Sequence, residues 1–563
     1  MNARLGRFLL TATLTCTAST ASSATLPPFR AAHALVTADN TAASEAGAEM
    51  LRRGGDAVDA AVATALMLGV VQPFASGLGG GGFAVVHRAD GTPEYTLDFR
   101  EVAPAMATAT MFQDARGEVV PGASTRGPRA AGVPGELAGL FRLHQRHGKL
   151  PWGTVVQPAL KAARDGFPAG DLLVTRITRM LDDLRRSPGL AADFLQKDGT
   201  PVAARELVRR PDLARTLAEI ARGGADTFYR GPLAKRIAEA VAQNNGLVTA
   251  ADLAAYAPIE RPPLSITWRG LRIVSMAPPS SGGAVILQVL RVLEPVDLAA
   301  LGHNSSRYLH RLTEALKHAF ADRAAIMGDP AFTPVPVDTM LAEPAVDRVR
   351  QRTEPFRVQL SSSYGGGYTL PTDHGTSHLN VVDAAGNAVA LTTTVNTSFG
   401  SLYVAGDTGV LLNNEMDDFV ARPGVPNAFG LVGREANAVA PGKRPLSSMS
   451  PTLVLKDGKV VLAVGASGGP TIITGTLQVL LDVLVFGLDP QAAVEASRMH
   501  HQWSPETLVV ESDLPADVVQ ALEGRGHKLI RETRYNAVQV IQWTPAGLLG
   551  ACDPSKLGQP AGY

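Results

Sequence analysis

The chain has 563 residues, of which 45% are apolar and 18% charged, and its basic and acidic side chains balance at 52 each. A chain of this length buries a large core. The even charge leaves no basic footprint of the kind that nucleic acids or acidic membrane surfaces require.

The N-terminal segment stands apart. Arg4 and Arg7 precede the apolar run "FLLTATLTCTAST", and the small residues "ASSA" close the segment before Thr25. This is the layout of a secretory signal peptide over residues 1–24, too short and too threonine-rich to span a membrane. Leu14 and Thr15 make a poor approach to a lipid anchor on Cys16, and the later apolar run "TLQVLLDVLVFGL" is interrupted by Asp482. The expectation is a soluble, exported chain, periplasmic or secreted, with no membrane partner. Without the leader only Cys552 remains, so neither an internal disulfide nor a cysteine metal site is expected.

The stretch from "TADNTAASEAGAEMLRRGG" to "DAVDAAVATALMLGVVQP" reads as two helices. The first stops at Gly54-Gly55, and the second starts with Asp56 as its N-cap. The alanine-rich run Ala57–Leu68 has the character of a buried helix. Next come "PFASGLGGGGFAVVH", a glycine-rich turn opening a strand, and "EYTLDFREVAP". Helical patterns dominate from Pro134 to about Tyr256. A strand-like "LSITWRGLRIVSM" follows, then the turn "APPSSGGA" and helix to about Ala325. The loop-rich tract near 353–375 is the clearest boundary. Beyond it "HLNVVD" and "AVALTTTV" flank "AAGNA" as a hairpin, "SPTLVLKDGKVVLAVG" forms another, and a helix-plus-strand region ends the chain. Helices dominate the first half and strands the middle and end, which is consistent with a layered α/β or α+β architecture.

Several stretches carry chemistry. Thr376, Ser377 and His378 are reactive side chains at the mouth of a strand, directly after a flexible tract. "GASGG", Gly465 to Gly469, satisfies G-x-S-x-G between a strand and a helix, the setting of a nucleophile elbow at Ser467. Asp482, Asp489, His500 and His501 follow in hydrolase order, but the βαβ repeats around an elbow are missing. The alternative is that Gly468 and Gly469 offer backbone N–H groups to an anionic centre at a helix start. "GLGGGG", Gly77 to Gly82, precedes a strand and lacks the spacing of a dinucleotide fingerprint, so it reads as structural. His303, His310, His318 and the pair His500-His501 match no zinc spacing, and no metal is expected. Arg100 in "DFRE" reads alone as a partner for Asp98 or Glu101, and "RPLSSMSPT" as a polar loop entering a strand.

Taken together, "GTSHLNVVDAAGNAVALTTTVNTSFGS", "GVLLNNEMDDF", "KRPLSSMSPTLVLKDG" and "GASGGPTIIT" resemble the γ-glutamyltransferases, a family of N-terminal-nucleophile hydrolases. "ASGLGGGGF", "LDFREVAP", "GVPGELAGL" and "EALKHAFADR" extend the resemblance through the first half. It implies an α+β fold, a four-layer αββα sandwich formed jointly by two subunits cut from one precursor. The cut falls between Gly375 and Thr376, giving a large subunit over 25–375 and a small one over 376–563.

The resemblance also assigns roles. Thr376 is the nucleophile, freed as a chain terminus whose own amine, with an ordinary pKa of about 7.7–8.0, suits general-base duty. Thr394 supports it, and Gly468 and Gly469 form the oxyanion hole, which disposes of the elbow reading. Asn396, Glu415 and Asp418 hold the donor's α-amino group. Arg100, Ser447 and Ser448 hold its α-carboxylate. Glu415 stands where some members carry glutamine. Phe429 falls in a loop that resembles the family's lid, where some bacterial members place a tyrosine, and the missing hydroxyl implies a less firmly closed lid. The implied activity needs no cofactor: Thr376 attacks the γ-amide of glutathione or a related compound, and the γ-glutamyl group passes to water, an amino acid or a dipeptide. The rivals are a β-lactam side-chain acylase of the same superfamily, a non-catalytic amino-acid or peptide binding protein, and a serine hydrolase built on Ser467.

Overall fold

A computed structural model describes residues 26–364 and 375–563. The expected signal peptide over 1–24 lies outside the described residues. Both predicted N-terminal helices form, over Thr41–Arg52 and Ala57–Val71. Asp56 caps the second, accepting from the amide of Val58 at 2.9 Å while Asp59 reaches back to the Asp56 amide. This capping box satisfies N–H groups that the first turn leaves open. The alanine-rich helix is buried almost all round because its small side chains let neighbours pack closely on every face.

Two seven-stranded sheets run through the molecule, antiparallel at every pairing. The first has the order 561–562, 35–38, 375–382, 388–396, 81–87, 95–99, 259–261. The second runs 29–31, 547–552, 537–544, 459–467, 452–456, 271–275, 264–268. Val85, Val382 and Ala390 of the first sheet pack between the sheets against Leu453, Ala463 and Ile541 of the second. The helices 41–52, 57–71 and 136–147 join a second core on the far side of the first sheet. Gly282–Leu293, Ser306–Ile326 and Thr471–Leu484 cover the far side of the second. Each fully buried Val, Leu or Ile in these cores contributes about 1.5–3 kcal/mol.

Helices dominate the first half and strands the end, as expected, but both sheets draw strands from both sides of residues 365–374. The tract near 353–375 therefore separates no two cores. Local pattern identified the strands, but which strands pair is set by contacts hundreds of residues apart. Among the described residues, no helix is long and apolar enough to cross a membrane.

Both predicted hairpins form. Gly375–Val382 pairs with Ala388–Asn396 across a turn in which Gly386 takes φ +88°, and Thr452–Lys456 pairs with Lys459–Ser467 across Asp457-Gly458. The glycine run serves the first hairpin. A Cβ on Gly80 would stand 2.0 Å from the carbonyl oxygen of Thr394, and one on Gly82 would stand 2.2 Å from that of Thr392. Only hydrogen fits there, so the run lies flat beneath the strand that carries Thr394. Gly80→Ala is expected to destabilise the protein by about 1–3 kcal/mol through overpacking, with activity lost alongside. Chemical denaturation against the wild type measures the first effect.

Candidate active site

The alternation of the strand 375–382 sorts its reactive side chains. Thr376, His378 and Asn380 face the second sheet, where Asn380 donates to the carbonyl of Gln539 and the His378 ring lies against Gly465. Ser377 faces the helices, its hydroxyl 3.4 Å from Gln72 Oε1. His378 is held between Thr392 Oγ1 at 2.8 Å and Asn380 Oδ1 at 3.1 Å, and burial pulls its pKa down to about 3. It is a neutral core histidine rather than a base for Thr376.

A bulge begins the pairing: Gly375 stands opposite Asn396, Thr376 opposite Thr394, and Val395 is the extra residue. Bulges re-aim side chains, and here Asn396 takes φ +81°. The Thr376 hydroxyl lies 3.1 Å from that of Thr394, which donates to the Gly375 carbonyl at 2.7 Å and accepts from the Asn396 amide at 2.9 Å. One hydroxyl thus touches both the candidate nucleophile and the carbonyl beside it.

A pocket opens over this pair, lined by Arg100, Thr376, Thr394, Asn396, Glu415, Asp418, Phe429, Ser447, Ser448 and Gly469, with Leu431 and Met449 among its apolar walls. All the site residues expected from sequence therefore meet in one place, apart from Gly375 and Gly468, which adjoin it in the chain. Gly468 and Gly469 take φ +135° and +57° just before the helix Thr471–Leu484. A Cβ on Gly468 would stand 2.7 Å from Thr471 Oγ1.

The floor is charged. Arg100 is fully buried and bonds to Glu415 and Asp418, with Nε donating to the Pro445 carbonyl at 3.2 Å and Glu101 standing 3.8 Å away. The sequence neighbours expected as its partners are otherwise engaged or more distant: Asp98 pairs with Arg261 and Arg444. Burial works against the charge of Arg100, but Glu415, Asp418 and Glu101 together hold its pKa above the usual range. Burial likewise pushes the Glu415 and Asp418 carboxyls up, and that of Glu101 up to about 8. Three carboxyl groups around one guanidinium offer acceptors that an incoming ammonium can take, while a carboxylate can take over the guanidinium.

Other supports carried no sequence signal. Lys556 donates to the Thr376 carbonyl at 3.0 Å and pairs with buried Asp39 at 3.3 Å. Asp39 also accepts from Ser467 at 3.0 Å and from Gln539 at 2.8 Å. Ser467 is thus committed to Asp39, while the expected triad partners lie elsewhere: Asp482 bonds to His303, and Asp489 caps a helix. Beneath Ser447, the Ser281 hydroxyl donates to its carbonyl at 2.6 Å and accepts from buried Arg323 at 2.9 Å. The turn "PPSSGG" and the helix Ser306–Ile326 therefore set the height of the serine pair.

Away from the pocket, His310, Glu314 and His527 converge with ligand-type atoms within 4.8 Å of one another. Their hydrogen bonds close on themselves: His310 bonds to His527 and the Glu354 carbonyl, and Glu314 to Lys317 and the Gln359 amide. The ammonium of Lys317 beside Glu314 opposes a cation there.

The gamma-glutamyltranspeptidase family model matches residues 43–563. The glutathione hydrolase proenzyme of Escherichia coli is 41% identical over 539 residues, covering 95% of this chain and 93% of that one. That of Pseudomonas aeruginosa is 41% identical, covering 93% of each chain. Among solved structures, Helicobacter pylori gamma-glutamyltranspeptidase is 39% identical with a TM-score of 0.55, covering 56% of this chain and 91% of that one. Cephalosporin acylase from Bacillus halodurans is 26% identical with a TM-score of 0.84, covering 96% of this chain and 97% of that one.

Behind the strand that carries Thr394, Glu136 accepts from Thr393 at 2.8 Å, and burial pushes its carboxyl up to about 8. Between the ordinary glutamate pKa and 8 the folded chain holds a proton that the unfolded chain releases. This contribution to stability is therefore full below pH 4.5 and lost as pH rises through 8. Glu136→Gln is expected to match the wild type near pH 5 and exceed it in Tm near pH 8.5. Melting curves across that range measure the change in slope.

Proposed function

The chain belongs to the gamma-glutamyltranspeptidase family, and from that premise we propose that Thr376 carries its chemistry in the pocket above the first sheet. The activity is γ-glutamyl transfer and hydrolysis by an enzyme made as a self-processing precursor.

In the precursor the Thr376 hydroxyl attacks the Gly375 carbonyl, whose oxygen already accepts a hydrogen bond from Thr394. The peptide bond becomes an ester on Thr376, the nitrogen leaves as an amine, and water releases the Gly375 carboxylate. The freed amine then serves as base for the same hydroxyl. The products are a large subunit, 25–375, and a small one, 376–563, held together as a heterodimer in a four-layer αββα sandwich. A leader over 1–24 sends the precursor to the periplasm or outside.

The donor's head group exchanges the internal ion pairs of the floor. Its α-carboxylate takes Arg100 with the Ser447 and Ser448 hydroxyls, and its ammonium takes Asn396, Glu415 and Asp418. This places the γ-carbonyl at Thr376, with the Gly468 and Gly469 amides receiving the oxyanion. Glutathione fits, releasing cysteinylglycine and leaving a γ-glutamyl ester on Thr376. Water, an amino acid or a dipeptide then takes the γ-glutamyl group. The observation that carries this reading is the meeting of the Thr376–Thr394 pair with the Arg100–Glu415–Asp418 cluster in one cavity. A cephalosporin acylase shares the fold, but the Arg100–Glu415–Asp418 cluster offers partners to both charges of an amino-acid head group.

Intact mass and N-terminal sequencing test it. The wild type is expected as two fragments, one beginning at Thr376, and Thr376→Ala as one uncut, inactive chain. An uncut but active wild type would overturn the mechanism. Thr394→Ala is expected to slow maturation by about 10²-fold or more, the usual cost of losing one donor to a developing oxyanion, and to slow turnover through the lost contact to the Thr376 hydroxyl. Ser467→Ala is expected to keep turning over.

A further inference from the structure

The loop from Ala421 to Arg434 crosses the mouth of the pocket and contributes Phe429 and Leu431 to its wall. An irregular loop loses conformational freedom when it is held in one place, so something must fasten it. Its tip folds around Asn427, whose Oδ1 accepts from the amides of Phe429 and Leu431, both at 3.0 Å, and whose carbonyl accepts from Gly430.

Three bonds tie this turn to the body. The Ala428 amide donates to Asp417 Oδ2 at 2.8 Å, Asn427 Nδ2 to Asp418 Oδ1 at 3.2 Å, and Gln502 Nε2 to the Phe429 carbonyl at 3.2 Å. Asp417 is the strongest of these anchors. It is buried and lies outside the pocket wall, and its other oxygen accepts from Ser124 at 2.6 Å. Burial pushes its carboxyl up to about 6, which leaves it ionised at neutral pH. A charged acceptor bonds an amide more strongly than a neutral one does. The segment carrying it is itself fixed, because Met416 and Phe419 pack with Met111 and Phe112 in a small core. Asp417 therefore bonds to the loop without touching Arg100, whereas Asp418 bonds to both Asn427 and Arg100.

We propose that Asp417 is a positioning residue that latches the tip of this loop over the donor pocket through the Ala428 amide, so that Phe429 stands as a fixed wall. The latch acts on the backbone, and closure does not depend on an aromatic hydroxyl at position 429. The proposal rests on the reading of the pocket as the γ-glutamyl donor site.

The test uses full-length, matured protein, with hydrogen exchange at Ala428 and steady-state kinetics with glutathione. Asp417→Ala is expected to mature normally, to exchange the Ala428 amide about tenfold faster, and to raise KM about tenfold with kcat within about threefold, the scale of one lost charged hydrogen bond. Asp417→Asn keeps an acceptor for Ala428 and is expected to restore most of KM. Unchanged exchange and KM in Asp417→Ala would overturn the latch. So would kcat, KM and Tm failing together with no rescue by asparagine, which is the signature of a merely structural residue. If Asp417→Ala does not fold, Ala428→Pro removes the donor instead; a raised KM supports the latch and a wild-type KM refutes it. A wild type that turns over no γ-glutamyl donor would sink the functional reading alone, because exchange at Ala428 still judges the latch.

Discussion

The site depends on the pairing of two central strands. Gly375–Val382 and Ala388–Asn396 lie in the middle of the first sheet, flanked by Leu35–Ala38 on one side and Gly81–His87 on the other. The bulge between Gly375 and Thr376 breaks their register at the point where two threonine hydroxyls and a carbonyl must meet. A reactive centre at a loop tip would be free to wander. This one is fixed by ladder hydrogen bonds from Thr376 to Thr394 and on to Gly81, by Lys556 on the Thr376 carbonyl, and by a close-packed core. The glycines of the neighbouring strand, the Glu136–Thr393 bond and the Lys556 contact all act on that one alignment.

The second constraint is electrostatic. Burying Arg100 with three carboxyl groups is costly unless each charge has a partner, and the bonds from Arg100 to Glu415 and Asp418 satisfy most of that need internally. Glu101 and one oxygen of Glu415 have no hydrogen-bond partner among the described residues. A fold optimised for stability alone would fill this position with apolar side chains. The charges fit the proposed exchange of partners with a zwitterion, in which binding would offset the desolvation.

Much of this was legible in the sequence, and the reasons differ from place to place. The cap at Asp56, the Asp457-Gly458 turn and the hairpin around Gly386 are local, so a short window holds all the physics they need. The pocket residues were legible because their motifs resemble those of a known family, not because spacing alone betrays a head-group site. Asp39, Ser281, Arg323, Asp417 and Lys556 were illegible for a common reason. Each acts through contacts that include residues far away in the chain, and a lone polar residue carries no period. Ser467 shows the opposite failure: its strand–turn–helix setting matches a nucleophile elbow, but the packing of the two sheets commits its hydroxyl to Asp39. The glycine run was rightly read as structural, although its purpose beneath Thr394 appears only when the strands are paired.

The interleaving of strands bears on how the protein would unfold. Strands from both sides of residues 365–374 are joined in each of the two sheets. A precursor folds them as one molecule, with each segment tethered to its neighbours. If the chain is cut beside Thr376 as proposed, the same sheets would belong to two polypeptides, and refolding would become a second-order encounter that dilution slows. Maturation would then be a one-way step for the architecture as well as for the chemistry. The persistence of the mature enzyme would be a matter of how slowly it opens, not of how readily it reassembles.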